Sequence, residues 1–281
     1  MGAAASNVDW SDDKKENLLK ELNTFQPGNS DITLRILLYG PVGAGKSSFI
    51  NSVDSALQGR ITNRALTDSD SGECFTQQTK AYDLNRENTH LPFTLIDTKG
   101  IEHGSGMNTD EIFRMLQGHV EYRHSSWSLL KKTDKPKNEK NKITMKDKIH
   151  CLVAVLPANK ISSMEDDLLR KMREVRLRAS DMEIPQVIIM TKVDEACPHV
   201  KYNIRNVYAS KDVKLNMERC QARLGVPMCY IYPIKNYHDE RTTNTELDIL
   251  ILNAVLNIVN FASDYVKDHK EKKTNATSKE D

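Results

Sequence analysis

The run Gly40-Pro41-Val42-Gly43-Ala44-Gly45-Lys46-Ser47 fits GxxxxGK[ST], and its residue types suit one task, wrapping a phosphate chain. Its glycines let successive backbone N–H groups converge on an anion, and the helix that should follow adds the positive end of its dipole. A lysine at this place meets the β- and γ-phosphates and the next hydroxyl ligates Mg²⁺. Gly40, Val42, Gly43, Ala44, Gly45, Lys46, Ser47 and Ser48 are therefore the candidate phosphate cradle, with Ser47 also a metal ligand. Apolar Leu37-Leu38-Tyr39 before the loop and Phe49-Ile50 after it supply the strand and helix that separate a phosphate loop from a glycine-rich turn.

Two further motifs narrow the ligand. Asp97-Thr98-Lys99-Gly100 follows an apolar run, and this DxxG offers a carboxylate, Asp97, to Mg²⁺ and a backbone N–H, at Gly100, to a γ-phosphate. Thr191-Lys192-Val193-Asp194 is a TKxD pattern. The Asp194 carboxylate can accept two parallel hydrogen bonds from guanine N1–H and its exocyclic amine, whereas adenine has no donor at either place. Lys192 should lie along the base and brace the phosphate loop, with Thr191 beside it. By chain order alone, Pro233-Ile234-Lys235-Asn236 is the place for a backbone contact to guanine O6, at Lys235. Thr76 and Thr79 both have the hydroxyl a γ-phosphate-sensing loop gives to Mg²⁺, and Thr79 is preferred.

No catalytic residue can be assigned. After the DxxG, where small GTPases often carry a water-orienting Gln, stands Ile101, followed by Glu102 and His103. An aliphatic side chain cannot polarise water, so hydrolysis should be slow or depend on assembly. Branched Val42 stands where an arginine supplied in trans would need room, and Lys99 is the nearest alternative source of positive charge.

Strands must end where these motifs begin. Apolar runs at 32–39, 91–96, 149–156, 186–190 and 228–234 read as strands, with a shorter edge strand at 82–84. Helical patterns fill the gaps at 46–57, 110–130, 162–178, 212–224 and 245–266. Alternation of this kind, with near-continuous apolar strands, indicates an α/β fold with a mainly parallel sheet covered on both faces. An amphipathic helix at 8–26 should dock outside the main core. The expected layout is a helical extension over 1–30, a nucleotide-binding domain over 31–266 with a lysine-rich insertion at 131–148, and a disordered charged tail over 267–281.

Lys+Arg 40 against Asp+Glu 39 leaves a net charge of +1, so no global field favours nucleic acid as a partner. The five cysteines, Cys74, Cys151, Cys197, Cys220 and Cys229, form no CxxC pair and read as reduced, buried thiols of a cytoplasmic protein. No run reaches the roughly 18 consecutive apolar residues of a membrane span. Met1-Gly2-Ala3-Ala4-Ala5-Ser6 matches the N-myristoylation pattern, and one such chain on Gly2 would give only marginal membrane contact. A plain terminus is the competing reading.

In order, YGPVGAGKSSFINSV, LPFTLIDTKG, TKVD and YIYPIKNY resemble the interferon-induced protein 44 family of GTPase-like proteins, over about 32–266. The resemblance implies a Ras-like P-loop fold with a six-stranded sheet, GTP/GDP and Mg²⁺ as ligands, interferon-induced expression, a cytoplasmic location and a role in antiviral defence. Members often carry a further N-terminal domain, whose functions are not carried over to the short segment before the first strand here. Protein partners, a homodimer among them, are left open.

Overall fold

The computed structural model describes residues 8–65, 79–87, 89–102, 107–120, 123–124 and 143–277. Thr76, His103, Cys74, Gly2 and most of the lysine-rich insertion therefore lie outside the described residues.

Seven strands form one sheet in the order β4-β2-β3-β1-β5-β6-β7. They are β1 (Leu34–Tyr39), β2 (Lys80–Arg86), β3 (Thr89–Asp97), β4 (Arg123–His124), β5 (Cys151–Pro157), β6 (Gln186–Thr191) and β7 (Ile231–Pro233). Every pairing is parallel except that of β2 with β3. The six expected strands are all present. The two-residue β4 is an addition, and it places β2, expected at an edge, one strand inside. Side chains on β1 and β5 are almost all buried, which is why these strands read as unbroken apolar runs.

The helices are α1 (Asp12–Thr24), α2 (Lys46–Gln58), α3 (Thr109–Leu116), α4 (Asp166–Asp181), two short ones, α5 (Val193–Ala196) and α6 (Pro198–Tyr202), α7 (Lys211–Leu224) and α8 (Thr245–Thr277). α2 and α8 pack together and onto the sheet, with α1 laid across α8, while α3, α4 and α7 contact one another in series.

Four expectations are corrected. The helix expected over 110–130 ends at Leu116, because Gln117 caps it and Gly118 turns with φ 85°, a left-handed conformation that only glycine adopts cheaply. α1 does not dock outside the core: Leu18, Leu19 and Leu22 are buried in the same apolar cluster as the sheet. Its start is set by Ser11, whose hydroxyl accepts from the Lys14 N–H, and by Asp12 and Asp13 in the first turn. The charged segment after 266 continues α8 to Thr277 rather than leaving it as a disordered tail. Finally, Cys151, Cys197 and Cys220 are buried, but Cys229 is exposed.

Over Thr245–Glu271, α8 is long and apolar enough to cross a membrane, although no run of consecutive apolar residues suggested it. In the fold, 61% of its most apolar window is buried, and it packs on β1 and β5 as a core helix.

Candidate functional site

Strands β1, β3 and β6 run parallel within one sheet, so their C-terminal ends bring Gly40, Asp97 and Thr191 to one edge. This is the edge at which open α/β sheets bind ligands.

From β1 the chain passes through Gly40, Gly43 and Gly45, all with positive φ, and enters α2 at Lys46. No side chain caps α2, so its first N–H groups are not consumed by a cap and, with the helix dipole, form a ready anion cradle. The Lys46 side chain is buried and folds back over the loop, its Nζ donating to the Gly40 and Pro41 carbonyls at 3.2 and 3.1 Å.

Ser47 Oγ donates to Asp97 Oδ2 at 2.5 Å. The other carboxylate oxygen, Asp97 Oδ1, is buried without a hydrogen-bond partner. Burial raises the Asp97 pKa, against the opposing pull of the Lys46 ammonium, the Ser47 hydroxyl and the Lys80 ammonium. A hydroxyl and an orphaned carboxylate oxygen form a hard-oxygen donor set, and that chemistry fits Mg²⁺. Lys80 is a site neighbour that motif reading missed. It pairs with Asp97 across the β2–β3 ladder, and the only signal was register, which a single strand does not reveal. Thr79, just ahead of Lys80, is half-buried and lies one residue beyond that pairing.

The DxxG is stapled to the phosphate loop. Ile101 N donates to the Gly40 carbonyl at 2.9 Å, and Ile101 forms a parallel bridge with Pro41. Between Asp97 and that bridge, Gly100 passes so close to Val42 that a Cβ at 100 would stand 2.3 Å from Val42 Cγ2 and 2.6 Å from Val42 N. Only glycine fits there. Val42 thus packs on the DxxG. Ile101 is 1% exposed and belongs to the core, so its side chain does not enter the site. Lys99 is half-buried, its side chain with no hydrogen bond or ion pair among the described residues, and the Glu102 carbonyl accepts from Lys171 Nζ at 3.3 Å.

After β6, Lys192 turns the chain with φ 57° and α5 begins. Asp194 is half-buried, and its carboxylate has neither a hydrogen bond nor an ion pair among the described residues. Among the described residues, the Lys192 ammonium makes no hydrogen bond or ion pair to the phosphate loop. Its Nζ lies 3.6 Å from Glu195 Oε1, and Glu195 is itself held by Asn159. The brace comes from Thr191, whose buried hydroxyl donates to the Ala44 carbonyl at 2.6 Å, and from Asn236, whose Nδ2 donates to the Gly45 carbonyl at 3.1 Å. Lys235, expected to offer its backbone to the base, pairs through its side chain with Glu240 at 2.6 Å, which leaves that backbone free of the ion pair. Its neighbour Asn236 was read only as part of that segment, because the loop after β7 carries no motif that would give its side chain a task.

The geometry thus draws Gly40, Val42, Ala44, Gly45, Ser47, Asp97, Gly100 and Thr191 into one hydrogen-bonded and packed cluster, while Lys192 and Lys235 stand on it through other partners.

Comparison with known proteins agrees with this architecture. A model of the Septin family matches residues 30–195. Mouse interferon-induced protein 44 is 32% identical over 257 residues, which is 90% of this chain and 60% of that protein. Human interferon-induced protein 44-like is 30% identical over 93% of this chain and 59% of its own length. This chain therefore spans about three-fifths of the curated relatives it matches. Among solved structures, Toc33 from Arabidopsis thaliana, in complex with Mg²⁺ and GMPPNP, superposes with a TM-score of 0.50. Its identity is 16%, over 90% of this chain and 92% of that one, a likeness of fold.

Proposed function

We propose that this chain, which belongs to the Septin family of P-loop GTPases, binds GTP and GDP with Mg²⁺ and hydrolyses GTP slowly. The observation that carries the reading is the Ser47–Asp97 pair, with its orphaned Oδ1, set beneath the uncapped start of α2. In this proposal Lys46 and the amides from Val42 to Ser48 hold the phosphates. Ser47 and Asp97 hold Mg²⁺ with Thr79 as a third oxygen donor, the Gly100 amide meets the γ-phosphate, and Asp194 reads guanine with Lys192 along the base. Lys235 contributes its backbone. Mg²⁺, when bound, supplies neutralising charge across the phosphates.

A second reading, a guanine-nucleotide-binding interaction module with negligible turnover, is favoured by Ile101. Its burial leaves no side chain at the water-orienting position, and its amide is committed to Gly40. A cytoplasmic location and a part in the interferon-induced antiviral response are included in the proposal. The printed names of the curated relatives support the interferon link.

Calorimetry with GTP, GDP and ATP, each with and without Mg²⁺, tests the binding. Guanine-selective, Mg²⁺-strengthened binding is expected, and equal ATP binding would refute the base assignment. Single-turnover hydrolysis on the same sample then separates the readings: a slow but measurable rate supports the GTPase, and none supports the module.

A further inference from the structure

Beyond the site, a buried polar network that ends at the start of α2 begins on α1. Lys15 Nζ reaches Asp248 Oδ2 at 2.8 Å, and that oxygen has no other hydrogen-bond partner. Asp248, on α8, is fully buried. Its other oxygen accepts from the Tyr237 hydroxyl at 2.7 Å. That hydroxyl accepts in turn from Asn244 N at 2.8 Å, so its single proton is directed at the carboxylate rather than at the Asn244 carbonyl, 3.1 Å away. Tyr237 N donates to Ser52 Oγ on α2 at 2.9 Å, and Ser52 Oγ donates to the Ser48 carbonyl in the first turn of that helix at 2.7 Å. The residue before Tyr237 is Asn236, whose side chain holds the Gly45 carbonyl.

A buried carboxylate is costly unless it is fully paired, and among the described residues this one has two partners, one of them on a separate helix. Each link beyond it fixes the loop after β7 against the phosphate loop. A purely structural ion pair between α1 and α8 would need neither Tyr237 nor Ser52.

We infer that Lys15 is a positioning residue for the nucleotide site, acting from α1 through Asp248 and Tyr237 on the 234–237 loop and the start of α2. The inference rests on the proposed nucleotide site, but the coupling itself can be read without nucleotide.

The test uses the full chain and four variants. Lys15→Met removes the charge, Lys15→Arg retains it, Tyr237→Phe cuts the network downstream while leaving the ion pair, and Leu19→Ala weakens α1 packing without touching the network. Hydrogen exchange of the nucleotide-free protein is followed at 234–244 and 44–52. Both Lys15→Met and Tyr237→Phe should speed exchange there by about tenfold or more, with Lys15→Arg close to wild type and Leu19→Ala unchanged in these segments. Release of fluorescently labelled GDP should quicken in the same two variants. If Lys15→Met does not fold, Tyr237→Phe decides by the same readouts. Unchanged exchange in the network variants, or an equal rise in Leu19→Ala, overturns the inference. Raised exchange in a protein that binds no guanine nucleotide would uphold the coupling and refute the function instead.

Discussion

At Asp194 a half-buried carboxylate stands just past the end of β6 with no hydrogen bond and no ion pair among the described residues. A group so placed can spend both oxygens on a ligand. Asp194→Asn keeps the shape but exchanges one acceptor for a donor. GTP affinity should fall roughly tenfold to a hundredfold, the worth of a hydrogen bond to a charged group, while affinity for xanthosine triphosphate rises. Calorimetry with both nucleotides checks this, and an unchanged GTP affinity would place the base elsewhere. At this scale the motif residues were legible because each chemistry restricts residue type and spacing together. Thr191 was named with the TKxD pattern, but the bond it makes was not, and the same holds for Asn236. Their task is a single hydrogen bond to a phosphate-loop carbonyl, which many residues could make, so no pattern announces it.

Among the elements, β1 and β5 are joined at their starts by His150. Its Nδ1 accepts from Arg35 N at 2.8 Å, its Nε2 donates to the Met145 carbonyl at 2.9 Å, and its own backbone N donates to Arg35 O at 2.8 Å. Burial pushes its pKa down to about 4, with Met145 pulling the other way and the nearby Arg35 and His269 adding to the fall. The ordinary imidazole value is 6.5, so between pH 6.5 and 4 the unfolded chain binds the proton and the folded one does not. This contribution to stability is whole above pH 6.5 and is lost on acidification towards pH 4. Its size is about 3 kcal/mol, taken from the shift at 1.36 kcal/mol per pH unit. Urea unfolding across that window should show wild type losing this increment relative to His150→Gln, which cannot titrate. A constant difference between the two would refute it. Strands were legible as apolar runs because both faces of this sheet are covered. The helix over 110–130 was overdrawn because the turn at Gly118 interrupts an otherwise helical pattern, and the end of α8 was missed because a charged helix and a charged tail share a composition.

Over the molecule as a whole, α1 belongs to the domain it was expected to flank. Leu22 is fully buried, and α1 rests on α8 and reaches β3. Leu22→Ala should therefore cost about 2–5 kcal/mol of global stability and leave one cooperative unfolding transition. An early, separate loss of one helix in thermal melts followed by circular dichroism would show instead that α1 is a detachable appendage. The α/β class and the edge carrying the site could be read from the order of motifs alone, since parallel strands put their C-terminal ends together. The joining of α1 to that edge could not, because the Lys15–Asp248 contact spans almost the whole chain and leaves no local trace.

Two carbonyls tie the phosphate loop to the segments on the base side, Ala44 to the end of β6 and Gly45 to the loop after β7. The segments proposed to read the base are thus clamped to those proposed to grip the phosphates, and the distance between them is set by two hydrogen bonds rather than by the ligand. Such a pocket behaves as a ruler. In the proposed site it should favour molecules that carry both ends at the separation a ribose imposes, and give little to a base or a polyphosphate arriving alone.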